Sequence, residues 1–199
     1  MNQELSQYIS EAKNIVIFTG AGISTESGIP DFRGPQGVWK TNTPIYFQDF
    51  IGSEEVRKDS WKRKFSGQDI IKKAKPNIGH LAVAEIINKH ESAYLITQNV
   101  DNLHQDAGVP DDKITEIHGN AHYATCLDCG IRYELNSIKK AFLENETVPY
   151  CDSCGGIIKT ATISFGQSMP EEGMQIAQRK TLGCDLFITI GTSLVVYPA

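Results

Sequence analysis

The sequence predicts an α/β fold, a doubly wound parallel sheet with a smaller unit inserted into it, and three observations carry that prediction. The runs NIVIFTG, SAYLITQNV and DLFITIGTS are apolar without alternation, and strands of that kind belong to parallel sheets covered on both faces. Segments of helical period stand between them. Two stretches, 34–75 and 121–159, break the alternation, and the second holds four of the five cysteines.

The elements follow in chain order. Leu5, Tyr8, Ile9 and Ala12 recur at helical spacing and lead into the strand NIVIFTG, which ends in glycine. Residues 34–75 mix glycine, proline, aromatic and charged residues without a strong period. IGHLAVAEIINKH from Ile78 reads as a helix, SAYLITQNV as the next strand and ITEI as a further apolar segment. After the cysteine-rich stretch a helix is expected from SMPEE, with Ser168 and Glu171 as a capping box and Gly183 as its stop, before the strand DLFITIGTS. In such sheets ligands sit beyond the carboxyl ends of the strands, here TGAGIS, TQNVDNLH and GTSLVV. Residues 1–33, 76–120 and 160–199 are thus expected to form the sheet domain, 34–75 a loop and helical insert, and 121–159 a separate small module.

Composition bounds the function. A chain of 199 residues, 40% hydrophobic and 22% charged, supports one good core plus a small module. A net charge of -5 provides no basic field for nucleic acid, and Lys62–Lys64, Lys72 and Lys73 read as solvated helix faces. No apolar run reaches membrane-spanning length, and the polar, amphipathic N-terminus lacks a signal-peptide layout. The protein is expected in the cytoplasm, where paired cysteines bind metal more often than they form disulfides.

Cys126 and Cys129 form one C-x2-C pair and Cys151 and Cys154 another, separated by 21 residues. Two such turns complete a closed tetrahedron of thiolates, so one structural Zn2+ is expected; a redox or disulfide pair is the competing reading. Cys184 stands apart at the edge of an apolar strand, where a buried small side chain is expected.

Gly20 and Gly22 satisfy the first two glycines of the dinucleotide fingerprint G-x-G-x-x-G of Rossmann-like sheets, but Thr25 occupies the sixth position. No acidic residue follows about 20 positions on to hold a ribose, as a hydride-transfer enzyme requires. Phosphate binding and a plain strand-to-helix turn both remain open on the loop alone. Gln98, Asn99, Asp101 and His104 follow one strand within seven positions, and His118-Gly119 follows ITEI, a set suited to gripping an amide and a ribose beside a base. By spacing alone His118 is either structural or catalytic. His80, His90 and His122 are read as surface or packing histidines.

Six motifs, GAGISTESGIPDFRG, TQNVDNLHQDAG, EIHG, the two C-x2-C pairs, ISFG and GTSLVVYPA, together resemble the sirtuin family of NAD-dependent protein lysine deacylases. The resemblance implies that NAD is a co-substrate to be cut, giving nicotinamide, O-acyl-ADP-ribose and free lysine, with acylated-lysine proteins or peptides as partners. It implies phosphate contacts from Gly20, Ala21, Gly22 and Ser24, met from the opposite strand end by Gly191, Thr192 and Ser193. Ile29, Asp31, Asn99 and Asp101 would receive the nicotinamide, Phe32 would shield the reacting carbon, Arg33 would hold the loop near the phosphates and Gln98 would contact the ribose. His118 would be the general base, while Ile163, Phe165 and Gly166 would wall the acyl-lysine tunnel. Members that prefer succinyl or malonyl groups carry a Tyr and an Arg three residues apart; WKRKFSG has no such pair, which implies an acetyl or other uncharged acyl group. Members usually continue through further strand and helix units beyond GTSLVVYPA, so an incomplete sheet with an exposed edge is expected. The competing expectations are a protein ADP-ribosyltransferase using the same pocket, an inactive binding fragment and, more remotely, a zinc-ribbon module acting alone or an NAD dehydrogenase.

Overall fold

The computed structural model of the chain describes residues 3–34, 37–40 and 42–199. Helix α1 (Gln3–Glu11) leads into β1 (Ile15–Thr19), the strand around which the larger sheet is built. β2 (Tyr94–Thr97), β3 (Ile114–Glu116) and β7 (Leu186–Ile190) complete that sheet in the order β3-β2-β1-β7, all parallel. Successive side chains of a strand point to opposite faces. On one face Ile15, Ile17 and Leu95 therefore pack with Val83, Ala84 and Ile87 of α4 (Ile78–Lys89) and with Ile9 of α1; on the other, Val16, Phe18 and Ile96 pack with Met174 and Ala177 of α7 (Glu171–Gly183). That two-sided burial is the physical content of a doubly wound sheet.

β7 departs from the expectation of cover on both faces. It is the outer strand, so only Leu186, Ile188 and Ile190 pack inward, whereas Phe187 is 40% exposed. Among the described residues no helix is long and apolar enough to cross a membrane.

The smaller unit is an antiparallel sheet of β4 (Gly119–Cys126), β5 (Arg132–Glu134) and β6 (Ile158–Thr162), ordered β5-β4-β6, with α6 (Leu135–Asn145). The two irregular stretches share its core. Trp61 and Phe65 of α3 (Glu54–Lys73) pack with Ala124, Cys126, Leu135, Ile138, Phe142, Cys151 and Ile158. A helix with only a few large apolar residues has too little surface for a core of its own and contributes them to its neighbour's.

Three local expectations are corrected. Helix α7 begins at Glu171 with Pro170 at the N-cap and no side-chain cap, so Ser168 and Glu171 make no capping box; proline's fixed φ already sets the helical entry. Gly183 is simply the last helical residue, and Cys184 after it is half-buried with its thiol donating to the Thr181 carbonyl. The reciprocal box sits instead on α4: the Asn77 side chain accepts from the amides of Gly79 and His80, and the Asn77 amide donates to His80 Nδ1. Lys64 is not a solvated member of its cluster, since its Nζ donates to the Ala121 carbonyl at 2.5 Å and burial, aided by the nearby Lys72, pushes its pKa down to about 8.

Candidate active site

The carboxyl ends of β1, β2 and β7 interlock. Gly20 leaves β1 with its amide donating to the Ile190 carbonyl, and the Gly22 amide donates to the Gly191 carbonyl at 2.8 Å. A Cβ on Gly191, whose φ is +63°, would stand 2.2 Å from the Ile23 nitrogen, and one on Gly22 would stand 2.8 Å from the Gly191 oxygen. The glycines of both turns are therefore required by the approach of one loop to the other, whatever lies above them. From β2, Gln98 accepts the Thr192 hydroxyl proton at 3.1 Å, tying the third strand end into the same surface. Ala21 and Thr192 are half-buried here and Ser193 is exposed beside them.

Beneath this surface lies a buried polar network. Ser24, which is 1% exposed, donates to Asp101 Oδ2 at 2.7 Å and accepts from Asn99 Nδ2 at 3.2 Å. Asp101 Oδ1 accepts the amide of Leu103, the first residue of the short helix α5 (Leu103–Asp106), so both carboxylate oxygens are held. His80 Nδ1 accepts from Asn77, which leaves Nε2 to donate toward Ser24 at 3.3 Å. His104 joins Thr19 and Thr97 below, with burial and then the adjacent His80 holding its pKa down at about 3. Such a network orders its members because each lost bond strands a desolvated partner.

His118 stands just after β3. Its Nδ1 lies 3.0 Å from the Gln98 carbonyl, which can only accept, so Nδ1 carries the proton and Nε2 is the basic atom. Burial lowers its pKa below 6.5, with the Gln98 bond opposing and the Arg33 charge reinforcing the shift. Its own carbonyl accepts the Ile163 amide at 2.8 Å, joining it to segment 163–166.

That segment meets the insert through aromatic rings. Phe165 faces Trp39 and Tyr46 at centroid distances of 5.8 and 6.1 Å, and Trp39 stacks on Phe32 at 5.3 Å. The Phe165 carbonyl accepts the Phe47 amide of α2 (Phe47–Gly52), and Gln167 closes the turn by accepting from the Ser164 amide. Gly166 takes a φ of +80° at the tip. Asp31 caps the opposing loop by accepting from the Gly34 amide, while Phe32 and Arg33 are exposed and Ile29 half-buried. Sheet-domain loops and the insert thus contribute an aromatic cluster, a basic nitrogen and a row of amide, hydroxyl and carboxylate groups.

The Sir2 family pattern matches residues 20–198. The chain belongs to the Sir2 family. It is 50% identical to an NAD-dependent protein deacetylase of Bradyrhizobium diazoefficiens, over 99% of this chain and 77% of that one. A counterpart from Thermotoga maritima is 37% identical over 99% and 78% of the two chains. A solved Sir2 complex with a p53 peptide and NAD+ matches with a TM-score of 0.85 at 35% identity, covering all of this chain and 78% of that one.

This Sir2-family chain also carries the expected metal centre. The sulfurs of Cys126, Cys129, Cys151 and Cys154 all lie within 4.8 Å of one another, with Cys126–Cys154 and Cys129–Cys151 each at 3.5 Å. Four sulfurs about 2.3 Å from one zinc ion lie about 3.8 Å apart, so the set fits Zn2+ and leaves no open position for chemistry. Each knuckle closes on a left-handed glycine: the Gly130 amide donates to the Cys126 carbonyl and the Gly155 amide to that of Cys151. A Cβ on Gly156 would stand 2.8 Å from Cys126 Sγ, and the Tyr133 hydroxyl donates to Cys151 Sγ at 3.1 Å.

Sequence reasoning missed several supporting residues. Trp39 and Tyr46 sit in the stretch without a period, where their aromatic character was the only signal. His80 and His122 are packing histidines, but both contact the site: His80 reaches Ser24, and His122 Nε2 donates to the Asp101 carbonyl at 2.9 Å.

Proposed function

We propose that this chain is an NAD-dependent protein lysine deacetylase in which His118 is the general base. The observation that carries the reading is the His118 tautomer: a carbonyl at Nδ1 leaves Nε2 as the basic nitrogen, and that carbonyl belongs to Gln98, next in the chain to Asn99 of the Ser24–Asn99–Asp101 network. When bound, NAD supplies a ribosyl carbon that becomes electrophilic as nicotinamide leaves. Gly20, Ala21, Gly22, Ser24, Gly191, Thr192 and Ser193 line its phosphates, Arg33 holds its loop near them, and Gln98 contacts the ribose. Asn99 and Asp101, oriented by Ser24, receive the nicotinamide amide together with Ile29 and Asp31. Phe32 covers the reacting carbon, and His118 Nε2 takes a proton from a ribose hydroxyl. Ile163, Phe165 and Gly166 hold the acyl-lysine, with Trp39 and Tyr46 extending the apolar wall. An uncharged acetyl group suits that wall, because a buried carboxylate needs a partner cation.

The test is mass spectrometry of an acetyl-lysine peptide incubated with the chain and NAD, with nicotinamide followed in parallel. Loss of the acetyl group with matching, peptide-dependent nicotinamide is expected. A product heavier by ADP-ribose would replace this reading with ADP-ribosyl transfer.

A pH profile adds a second check. A general base must be neutral, and burial lowers the pKa of His118 below 6.5, so the acid limb of kcat/KM is expected below pH 6.5. A limb at or above that pH would contradict the burial argument.

A further inference from the structure

Lys159 lies in β6, only 4% exposed, and among the described residues no carboxylate lies within ion-pair distance. A buried unpaired cation is strongly disfavoured by the loss of its hydration, so its surroundings must supply compensation. Its Nζ donates to the Thr162 carbonyl at 2.5 Å and the Thr160 carbonyl at 3.3 Å, and sits 5.9 Å from the centre of the Phe50 ring. Burial nevertheless pushes its pKa down to about 8.

The position of those carbonyls gives the lysine a consequence beyond packing. Thr162 and Ile163 share one peptide group. Its oxygen is held by Lys159, and its N–H donates to the carbonyl of His118 at 2.8 Å. A peptide plane held at one end can rotate, whereas one held at both ends cannot. Helix α2 braces the same region twice, through the Phe47 amide on the Phe165 carbonyl and through Phe50 over the ammonium. On the other side Gly119, at a φ of +73°, admits the Ala161 carbonyl so closely that a Cβ would stand 1.9 Å from it.

We infer that Lys159 is a positioning residue, whose ammonium locks the Thr162–Ile163 peptide plane and thereby sets both the acyl-lysine wall at 163–166 and the backbone of His118. The link to catalysis rests on the deacetylase reading above, while the lock itself does not. Lys159→Met keeps the length of the side chain and removes the donor, leaving the Thr162 carbonyl without its bond.

The test combines peptide kinetics with amide hydrogen exchange. In Lys159→Met, kcat/KM for an acetyl-lysine peptide should fall about tenfold or more while KM for NAD stays within about twofold, as expected for one stranded buried acceptor next to the peptide subsite. Exchange of the Ile163 amide should quicken about tenfold on the same grounds, with β2 amides unchanged. Unchanged exchange at Ile163 would overturn the lock, and faster exchange with full kcat/KM would overturn its role in positioning. If the variant does not fold, the native chain still tests the lock: an Ile163 amide that exchanges like that of Gly166 overturns it. Exchange needs no turnover, so a native chain that fails to deacetylate counts against the proposed function and not against the lock.

Discussion

His118→Ala is expected to slow deacetylation of an acetyl-lysine peptide by a factor of about 10²–10⁴, the usual contribution of a positioned general base. The expectation rests on one atom. With Nδ1 bound to the Gln98 carbonyl, Nε2 is the basic nitrogen, and alanine removes it without a substitute. The rest of the site should survive, because the bond from the Ile163 amide goes to the backbone carbonyl of residue 118, which alanine retains. NAD affinity, measured by calorimetry, should accordingly stay within about threefold, less than the 1.4 kcal/mol that a tenfold change represents. Single-turnover rates at pH 7 decide the matter; a variant as fast as the native chain would remove His118 from the mechanism.

Zinc removal should have the other large effect. Cys126 and Cys151 are both metal ligands and members of the core that buries Trp61, Phe65, Phe142 and Ile158. A structural zinc site contributes about 10–16 kcal/mol in isolated finger peptides, and a whole domain is stable by only about 5–15 kcal/mol. The apolar core of this small unit cannot make up such a loss. Extracting the metal should therefore unfold residues 119–162, expose Trp61, which is 1% exposed in the fold, and abolish deacetylation because segment 163–166 continues directly from β6. Tryptophan emission should shift to the red and the near-ultraviolet dichroism should fade. Native emission and full activity in protein shown by elemental analysis to be metal-free would refute a structural role for the ion.

Much of the architecture was legible because its signals are local. The three apolar runs became β1, β2 and β7; in β1 and β2 unbroken burial leaves its mark residue by residue along the strand, whereas β7 is equally apolar but exposed on one face. The two C-x2-C pairs were equally legible, because a knuckle places both of its sulfurs by turn geometry alone. Less local features misled. A Ser and a Glu three residues apart before α7 resembled a cap, but the intervening Pro170 took that position; Asn77 and His80 formed the real box without the expected Glu or Gln. Lys64 carried no sign in its basic neighbours that the Ala121 carbonyl, 57 residues away, would bind it.

By itself the sequence determined the parallel sheet, the metal-binding knuckles and the family to which the chain belongs, because each depends on residue types at short, fixed spacings. The tertiary structure alone decided which nitrogen of His118 is basic, that the glycines of two strand ends are forced by each other, that α3 and the zinc unit share a core, and that Lys159 grips the peptide plane next to His118's carbonyl. These are relations between residues brought together by folding, and a hydrogen bond or close contact between distant segments leaves no periodic trace in either of them.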